Sequence, residues 1–90
     1  MDVTIQVKGA VARILRTRES PTIEAQELLR VANSLGVSLE PLDPETKDPH
    51  LALYFRVRVP DVETAQRVIS FLRHCRAIEA AYIKPPEELP

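Results

Sequence analysis

The side chains that could perform catalysis are few and widely separated in this sequence. His50 and His74 lack the spacing that brings two ligands to one metal ion, and no Cys-x-x-Cys pair accompanies them. Cys75 is the one cysteine, and it falls on an apolar helical stripe, where a free cysteine commonly acts as a small buried hydrophobe. Two glycines are too few for a phosphate-binding loop. We therefore expect no enzymatic activity, no metal and no cofactor.

A row of alternate residues in the C-terminal half suggests binding through a flat surface instead. Ala52, Tyr54, Arg56 and Arg58 alternate with apolar residues, so they would share the outer face of a strand. An aromatic ring beside guanidinium groups could dock on another protein, stack on bases and bind phosphates, or form a solvated sheet face. RNA-recognition sheets carry a Gly-aromatic-Gly-x-aromatic pattern on this strand, and residues 53–56 do not match it.

The C-terminal residues form a second candidate binding element. Residues 85–90 contain three prolines, which join neither a helix nor a strand ladder, so an extended tail is predicted. Because Pro85 and Pro86 fix their backbone angles, the tail would lose little entropy on adding to a partner as a strand or entering a groove. A frayed terminus is the alternative.

The predicted partner-binding residues come from these two features. They are Tyr54, Arg56 and Arg58 on the strand, and Tyr82, Ile83, Lys84, Pro85, Pro86, Glu87, Glu88, Leu89 and Pro90 at the C-terminus.

Composition limits the classes of protein and partner. Ninety residues with 44% hydrophobic and 28% charged side chains are typical of one globular domain. Twelve basic and 13 acidic residues leave a net charge of −1, which provides no general attraction for nucleic acid or an anionic membrane. No apolar run approaches the length of a membrane span, and a single cysteine excludes an internal disulfide. The N-terminal residues do not resemble a signal peptide, so we expect secretion only if an export signal lies upstream.

The first half of the chain predicts a strand, a helix and a short edge strand. Residues 3–7 alternate between apolar and polar side chains, and the strand is predicted to bend after a glycine and continue through residues 10–15. A helix should begin with Ser20 as its N-cap and Pro21 in its first turn, and should end at Gly36 in a left-handed conformation. Residues 37–40 then predict a short strand, which a following proline confines to an edge.

The second half predicts a loop over residues 43–50, a strand over 51–59, a helix capped by Asp61, and a last strand over 78–82. In that last strand Ile78, Ala80 and Tyr82 alternate with Glu79 and Ala81. The helix is predicted to bury one stripe, which comprises Val62, Ala65, Val68, Ile69, Leu72 and Cys75. The centre of the core is expected to contain Leu28, Leu53, Phe55, Val57, Ile69 and Leu72.

This order of elements predicts an α+β fold. One apolar stripe per helix is most simply buried by placing both helices on one face of a four-stranded antiparallel sheet, which is the ferredoxin-like βαββαβ arrangement. We assign residues 1–84 to this single domain and residues 85–90 to the tail.

The C-terminal half of the sequence resembles the propeptide, or propeptide-like inhibitor, of subtilisin-like serine proteases. The similar residues are 55–61, the second helix and residues 78–86, in which Ala81-Tyr82-Ile83 matches the Ala-Tyr-Val of the family's final strand. The resemblance implies the same βαββαβ fold. It also implies an open sheet face that docks on two surface helices of the protease, and a C-terminal tail that lies along the substrate cleft.

The leading hypothesis is therefore a non-enzymatic protein-binding module that acts as a protease inhibitor or intramolecular chaperone. The implied partner is a subtilisin-like serine protease, which could be part of the same precursor. A small regulatory domain, such as an ACT-like dimer that uses edge strands, is the first alternative. An RNA-binding sheet is the second, and the near-neutral charge disfavours it.

Overall fold

The computed structural model describes residues 1–17 and 20–83, which form an α+β domain. Over these residues the structure has a four-stranded antiparallel sheet and three α-helices. The elements in chain order are β1 (Asp2–Val7), α1 (Gly9–Thr17), α2 (Ile23–Leu35), β2 (Glu40–Pro41), a 3-10 turn (Leu51–Leu53), β3 (Tyr54–Arg58), α3 (Val62–Leu72) and β4 (Ile78–Ile83). The predicted α+β class and antiparallel sheet are confirmed, and one helix more than predicted is present.

The two central strands of the sheet supply the middle of the core. The strand order is β2-β3-β1-β4, and every neighbouring pair is antiparallel. Val3 lies opposite Val57 and Ile5 lies opposite Phe55. These four side chains and Val7 are almost completely inaccessible to solvent, because β1 and β3 have a strand on each side and apolar helices against one face. The alternation of β1 is thus confirmed.

Helix α1 replaces the predicted continuation of the first strand over residues 10–15. Val11, Ala12 and Ile14 are buried, so the segment buries one helical side rather than every second residue. The helix begins directly after β1, and the Ala12 N–H donates to the Lys8 carbonyl at 2.9 Å. Short apolar runs fit either a strand or a helix, and the strand interpretation was wrong.

Helix α2 begins two residues later than predicted. Thr22, not Ser20, is the N-cap, and its hydroxyl accepts a hydrogen bond from the Ala25 N–H at 3.3 Å. Both residue types cap helices, so the sequence did not distinguish them. The C-terminal prediction is confirmed: Gly36 has a φ of 71°, and the Val37 N–H donates to the Ala32 carbonyl at 3.0 Å.

The strands β2 and β3 are shorter than predicted. Of the predicted residues 37–40 only Glu40 pairs with β3, together with the following Pro41, and that pairing lies at a sheet edge as expected. The predicted strand over 51–59 begins only at Tyr54. Asp48 accepts hydrogen bonds from the His50 N–H on its carboxylate and from the Ala52 N–H on its carbonyl, which favours a turn before the strand. Ala52 is therefore not part of the row on the strand.

The predicted core is correct at its centre and wrong at its margins. Leu28, Phe55, Val57 and Leu72 are fully buried, whereas Leu53 and Ile69 are only partly buried and pack against the others. Within α3, the predicted stripe is buried at three helical positions and at the cysteine that follows, which are Ala65, Val68, Leu72 and Cys75. Val62 is exposed because it lies directly after the N-cap. That cap is Asp61, as predicted, and its carboxylate accepts from the Thr64 N–H at 2.8 Å.

A register shift changes which side chains of β4 face the core. Val7 pairs with Ile78 but Gln6 pairs with Ala80, so one extra residue of β4 lies between these pairs. Beyond the shift, Ala81 and Ile83 pack against the core, and Tyr82 lies on the opposite face. The alternation of residues 78–82 is therefore interrupted: Ile78 packs against the core, whereas Ala80 and Tyr82 lie on the opposite face.

Candidate functional site

One face of the sheet carries polar side chains from all four strands. The buried residues of the three helices belong to the same core as the apolar residues of β1 and β3. The helices therefore lie against the face of the sheet that carries those apolar residues. Residues that alternate with the core residues, or pair with such residues in register, lie on the other side. We call this side the open face; it comprises Asp2, Thr4, Gln6, Glu40, Tyr54, Arg56, Arg58, Ala80 and Tyr82.

A single row of four side chains crosses the whole open face. Glu40 pairs with Arg56, Arg56 pairs with Thr4, and Thr4 pairs with Tyr82. Thr4 is almost completely buried, although its hydroxyl-bearing side chain is on the open face. The larger neighbours on both sides of it account for this burial, since directly opposite residues of antiparallel strands have adjacent side chains. The row thus has Arg56 on one side of the small residue Thr4 and Tyr82 on the other side.

The charged end of this row is organised by Glu40. One Glu40 oxygen, Oε2, accepts a hydrogen bond from the Arg56 guanidinium at 3.1 Å and lies 3.9 Å from Nε of Arg58. The side chain of Arg56 is 29% exposed and that of Arg58 is 67% exposed. The three side chains together carry one net positive charge, and the more accessible guanidinium is that of Arg58.

Arg56 has one polar atom whose hydrogen bonding is incomplete. Its Nε is buried and has no hydrogen-bond partner among the described residues. A buried donor without an acceptor is destabilising, so burial of this Nε lowers the stability of the folded domain. Its hydrogen bond to Glu40 holds the rest of the group in place.

Tyr54 occupies the next position along β3 and faces Gln6 of β1. Its ring meets the ring of His50 edge-on, with centroids 5.7 Å apart and planes at 71°. The Leu42 N–H donates to the Tyr54 carbonyl at 3.1 Å, which extends the contact of β3 with the segment after β2. Tyr54 is half-buried and lies beside the charged row.

The structure brings together four of the residues predicted to bind a partner. Tyr54, Arg56, Arg58 and Tyr82 all lie on the open face. Ile83 does not, because it pairs with Val3 and packs against the core. Residues 84–90, which complete the predicted set, lie outside the described residues.

Sequence reasoning missed Thr4, Gln6 and Glu40. The alternation of β1 contained a signal for Thr4 and Gln6, since these are the polar residues between its buried ones. Glu40 had no such signal, because its position beside Arg56 depends on the register between two strands separated by a 12-residue connection, residues 42–53.

The residues with catalytic chemistry are not assembled into a site. His50 and His74 are both exposed, and Cys75 is buried. Burial, with a smaller contribution from the Glu27 carboxylate, raises the pKa of the Cys75 thiol, which disfavours the reactive thiolate. Within residues 1–17 and 20–83, no group of three or more His, Cys, Asp or Glu side chains could hold a metal ion. None of the helices described is long and apolar enough to span a membrane.

An apolar cleft of about 500 Å³ lies on the helical side of the domain, between α1, α2 and the segment before β2. Its walls include Ile14, Leu29 and Leu39, and its polar groups come from Asn33 and Ser38. No titratable side chain is among its described lining residues. The described lining residues of the cleft therefore provide no titratable acid or base.

Comparisons of the chain with protein-family models, with curated proteins and with solved structures found no match. The class of protein that the described residues define is a small α+β domain with a polar open face, three helices on the other face and dispersed titratable groups.

Proposed function

We propose that this chain is a non-enzymatic protein-binding module of the subtilisin-propeptide type, which acts as a protease inhibitor or intramolecular chaperone. In this proposal the open face docks on the protease. Tyr54, Arg56, Arg58 and Tyr82 make the contacts, and the residues after β4 extend towards the substrate cleft.

The topology supports a ferredoxin-like assignment, which the family resemblance requires. The chain between β1 and β2 crosses β3, and α3 carries the chain from β3 across β1 to β4. Each helical connection thus joins two strands that are not neighbours, as in a split βαβ unit. Helix α1 is then an additional element inside the first connection, before α2.

The observation that carries the proposal is the row Glu40–Arg56–Thr4–Tyr82 with Arg58 beside it. Arginine and tyrosine are the residue types that dominate binding energy at protein interfaces. Here they stand on a sheet, whose backbone holds them at fixed separations, and Glu40 restricts the Arg56 guanidinium. Such preorganised side chains lose little freedom on association.

The same row argues against nucleic acid as the partner. Glu40 lies among the arginines of the open face, where its carboxylate would repel a phosphate backbone. The arginine end of the row has a net positive charge, and Tyr82 at the opposite end is uncharged. A protein surface that presents a carboxylate beside an apolar patch would therefore complement both ends of the row.

Inhibition of a subtilisin-type protease by the purified chain tests the proposal. The inhibition constant is measured from hydrolysis of a chromogenic peptide, for the wild type, Arg58→Glu and Arg30→Glu. Arg30 is an exposed arginine of α2, so its reversal changes the net charge equally on the helical side. We expect Arg58→Glu to weaken inhibition about tenfold or more, which corresponds to about 1.4 kcal/mol, and Arg30→Glu to have no effect. Equal constants for all three proteins would remove the open face as the docking surface.

The tail is tested separately by deleting residues 87–90. If these residues occupy the substrate cleft, the deletion weakens inhibition while the thermal unfolding temperature is unchanged. Inhibition that is unaffected by the deletion would show that the open face is sufficient. A chain that fails to inhibit or bind any member of a panel of subtilisin-type proteases would contradict the proposal as a whole.

A further inference from the structure

The two edges of the sheet differ in how they are protected against pairing with another strand. β2 has two residues, one of them Pro41, which has no N–H to donate. β4 has six residues, Ile78–Ile83, and no strand among the described residues pairs with its outer side. Its register shift and its one charged residue, Glu79, lie before Ala80, and the part from Ala80 to Ile83 has no bulge, charge or proline. Exposed edge strands without such protective features are sites of strand pairing.

The direction of the free backbone groups on β4 follows from the hydrogen bonds of β1. The Val59 N–H donates to the Met1 carbonyl at 2.9 Å, on the β3 side, and the Lys8 N–H donates to the Ala77 carbonyl at 3.0 Å, on the β4 side. Successive residues of a strand direct their backbone groups alternately to the two neighbouring strands. Odd-numbered residues of β1 therefore bond to β3, and even-numbered ones bond to β4.

This alternation identifies the unpaired groups of the edge. The backbone groups of Tyr82 and Ala80 bond to Thr4 and Gln6 of β1. The alternate residues of β4, Ala81 and Ile83, therefore direct their N–H and C=O groups away from the sheet. No backbone hydrogen bond within the described residues uses the outward N–H of Ala81.

We propose that β4 pairs with β4 of a second copy of this chain, antiparallel and centred on Ala81. A two-fold axis perpendicular to the sheet then passes between the two Ala81 residues, which exchange both backbone hydrogen bonds. The two four-stranded sheets become one continuous sheet, and both open faces lie on the same side.

The side chains of β4 are self-complementary in this register. On the open face Tyr82 lies opposite Ala80 of the second copy, and Ala80 lies opposite its Tyr82, so a large ring covers a small residue twice. Tyr82 is 46% exposed in the single chain, which leaves its ring available for this contact. On the core side the two small Ala81 side chains meet without a clash.

The charges of β4 also permit a second copy. Glu79 is the only charged residue of the strand, and the register places it opposite Ile83 of the second copy rather than opposite the other carboxylate. The backbone hydrogen bonds of the proposed dimer form at the edge of the sheet, so the proposal does not depend on the proposed protease-binding function.

Sedimentation equilibrium of the purified chain tests the dimer. One strand per copy is a small interface, so we expect a weak dimer with a dissociation constant between about 10 µM and 1 mM. Amide hydrogen exchange measured at low and high protein concentration locates the contact. The Ala81 amide should exchange several-fold more slowly at high concentration, whereas the Tyr82 amide, already bonded to β1, should change little.

Two variants and a control make the assignment specific. Ala81→Pro removes the central outward donor without removing a hydrogen bond of the single chain. Ala80→Glu replaces the small residue that Tyr82 of the second copy covers, and it places two carboxylates diagonally across the axis. Each should weaken the dimer at least tenfold. Phe71→Ser is the control, since Phe71 is a comparably exposed aromatic residue on α3; it should dimerise like the wild type.

Several results would overturn the proposal. These are a wild type that stays monomeric at about 1 mM, dimerisation that survives in Ala80→Glu, and loss of the dimer in Phe71→Ser. A monomer whose Ala81 amide is protected only by an added extended peptide would show that the edge receives another protein's strand instead. If Ala81→Pro unfolds, as judged by circular dichroism, Ala80→Glu and the exchange measurement decide.

Discussion

The Glu40 carboxylate accepts a hydrogen bond at 3.1 Å from the Arg56 guanidinium, and this contact connects the two-residue strand β2 to β3 across the open face. The same oxygen lies 3.9 Å from Nε of Arg58. One carboxylate thus restrains the more buried arginine while leaving the more exposed one largely accessible. This division suits a docking surface, in which one cation is positioned and another reaches the partner.

Replacing Glu40 by Gln should separate the binding role of this contact from its contribution to stability. Partly exposed ion pairs contribute about 0–1 kcal/mol, so the free energy of unfolding should change by no more than that. Association with the partner protease should change in rate, because the charge of the open face becomes more positive. Urea denaturation and stopped-flow binding measure the two effects. A loss of several kcal/mol would show that the pair is structural.

The core should respond to truncation according to burial. Leu28 is fully buried, and Leu28→Ala is expected to cost about 2–5 kcal/mol, since it removes contacts and leaves a cavity. Leu53 is only partly buried, so Leu53→Ala should cost less. Equilibrium unfolding in urea at constant m-value gives both numbers. Equal losses would contradict the placement of Leu53 at the margin of the core.

The two glycines should respond oppositely to alanine. Gly36 has a φ of 71°, where a side chain is strained, so Gly36→Ala should destabilise by about 1–2 kcal/mol. Gly9 is the first residue of α1, and a Cβ there would meet only Leu53 Cδ2 at 3.9 Å, an ordinary contact. Gly9→Ala should be neutral or stabilising by up to about 1 kcal/mol. Thermal unfolding of the two variants checks the contrast, and a stabilising Gly36→Ala would contradict it.

Asp61 should make the stability of the domain depend on pH in the acidic range. Hydrogen bonds from the Thr64 backbone N–H and from its side chain lower the pKa of Asp61. A lowered folded-state pKa means that the carboxylate stabilises the fold above its unfolded-state pKa, and that this contribution is lost as the pH falls through the folded-state pKa. Asp61→Asn should therefore be less stable than the wild type at neutral pH, and the difference should shrink in acid. Unfolding temperatures at several pH values measure it; a difference that grows in acid would refute the assignment.

Cys75 should be unreactive in the folded chain. Its thiol is buried, and the burial raises its pKa, so both access and thiolate formation are limited at mildly alkaline pH. Modification by a disulfide reagent should proceed slowly without denaturant and rapidly in urea. Rapid reaction in the native state would show that the region after α3 opens readily.

Helix α1 illustrates one limit of sequence reasoning. Its apolar residues form a short run that fits both periodicities, and the glycine before it suggested a bulge rather than a helix start. The rest of the fold favours the helix over the strand, because β1 lies at the centre of the sheet and the buried side of α1 packs into the core. Tertiary packing thus overrode a local ambiguity.

The open face shows what each level of structure decided. By itself, the sequence determined the alternation of β1 and of the strand around Arg56, the left-handed stop at Gly36 and the Asp61 cap, because these depend on side-chain period and local hydrogen bonding. Only the tertiary structure brought Glu40 to Arg56 and placed Tyr82 beside Thr4 on the open face. Pairing register between distant strands, and a single extra residue in β4, set those positions, and neither leaves a local pattern in the chain.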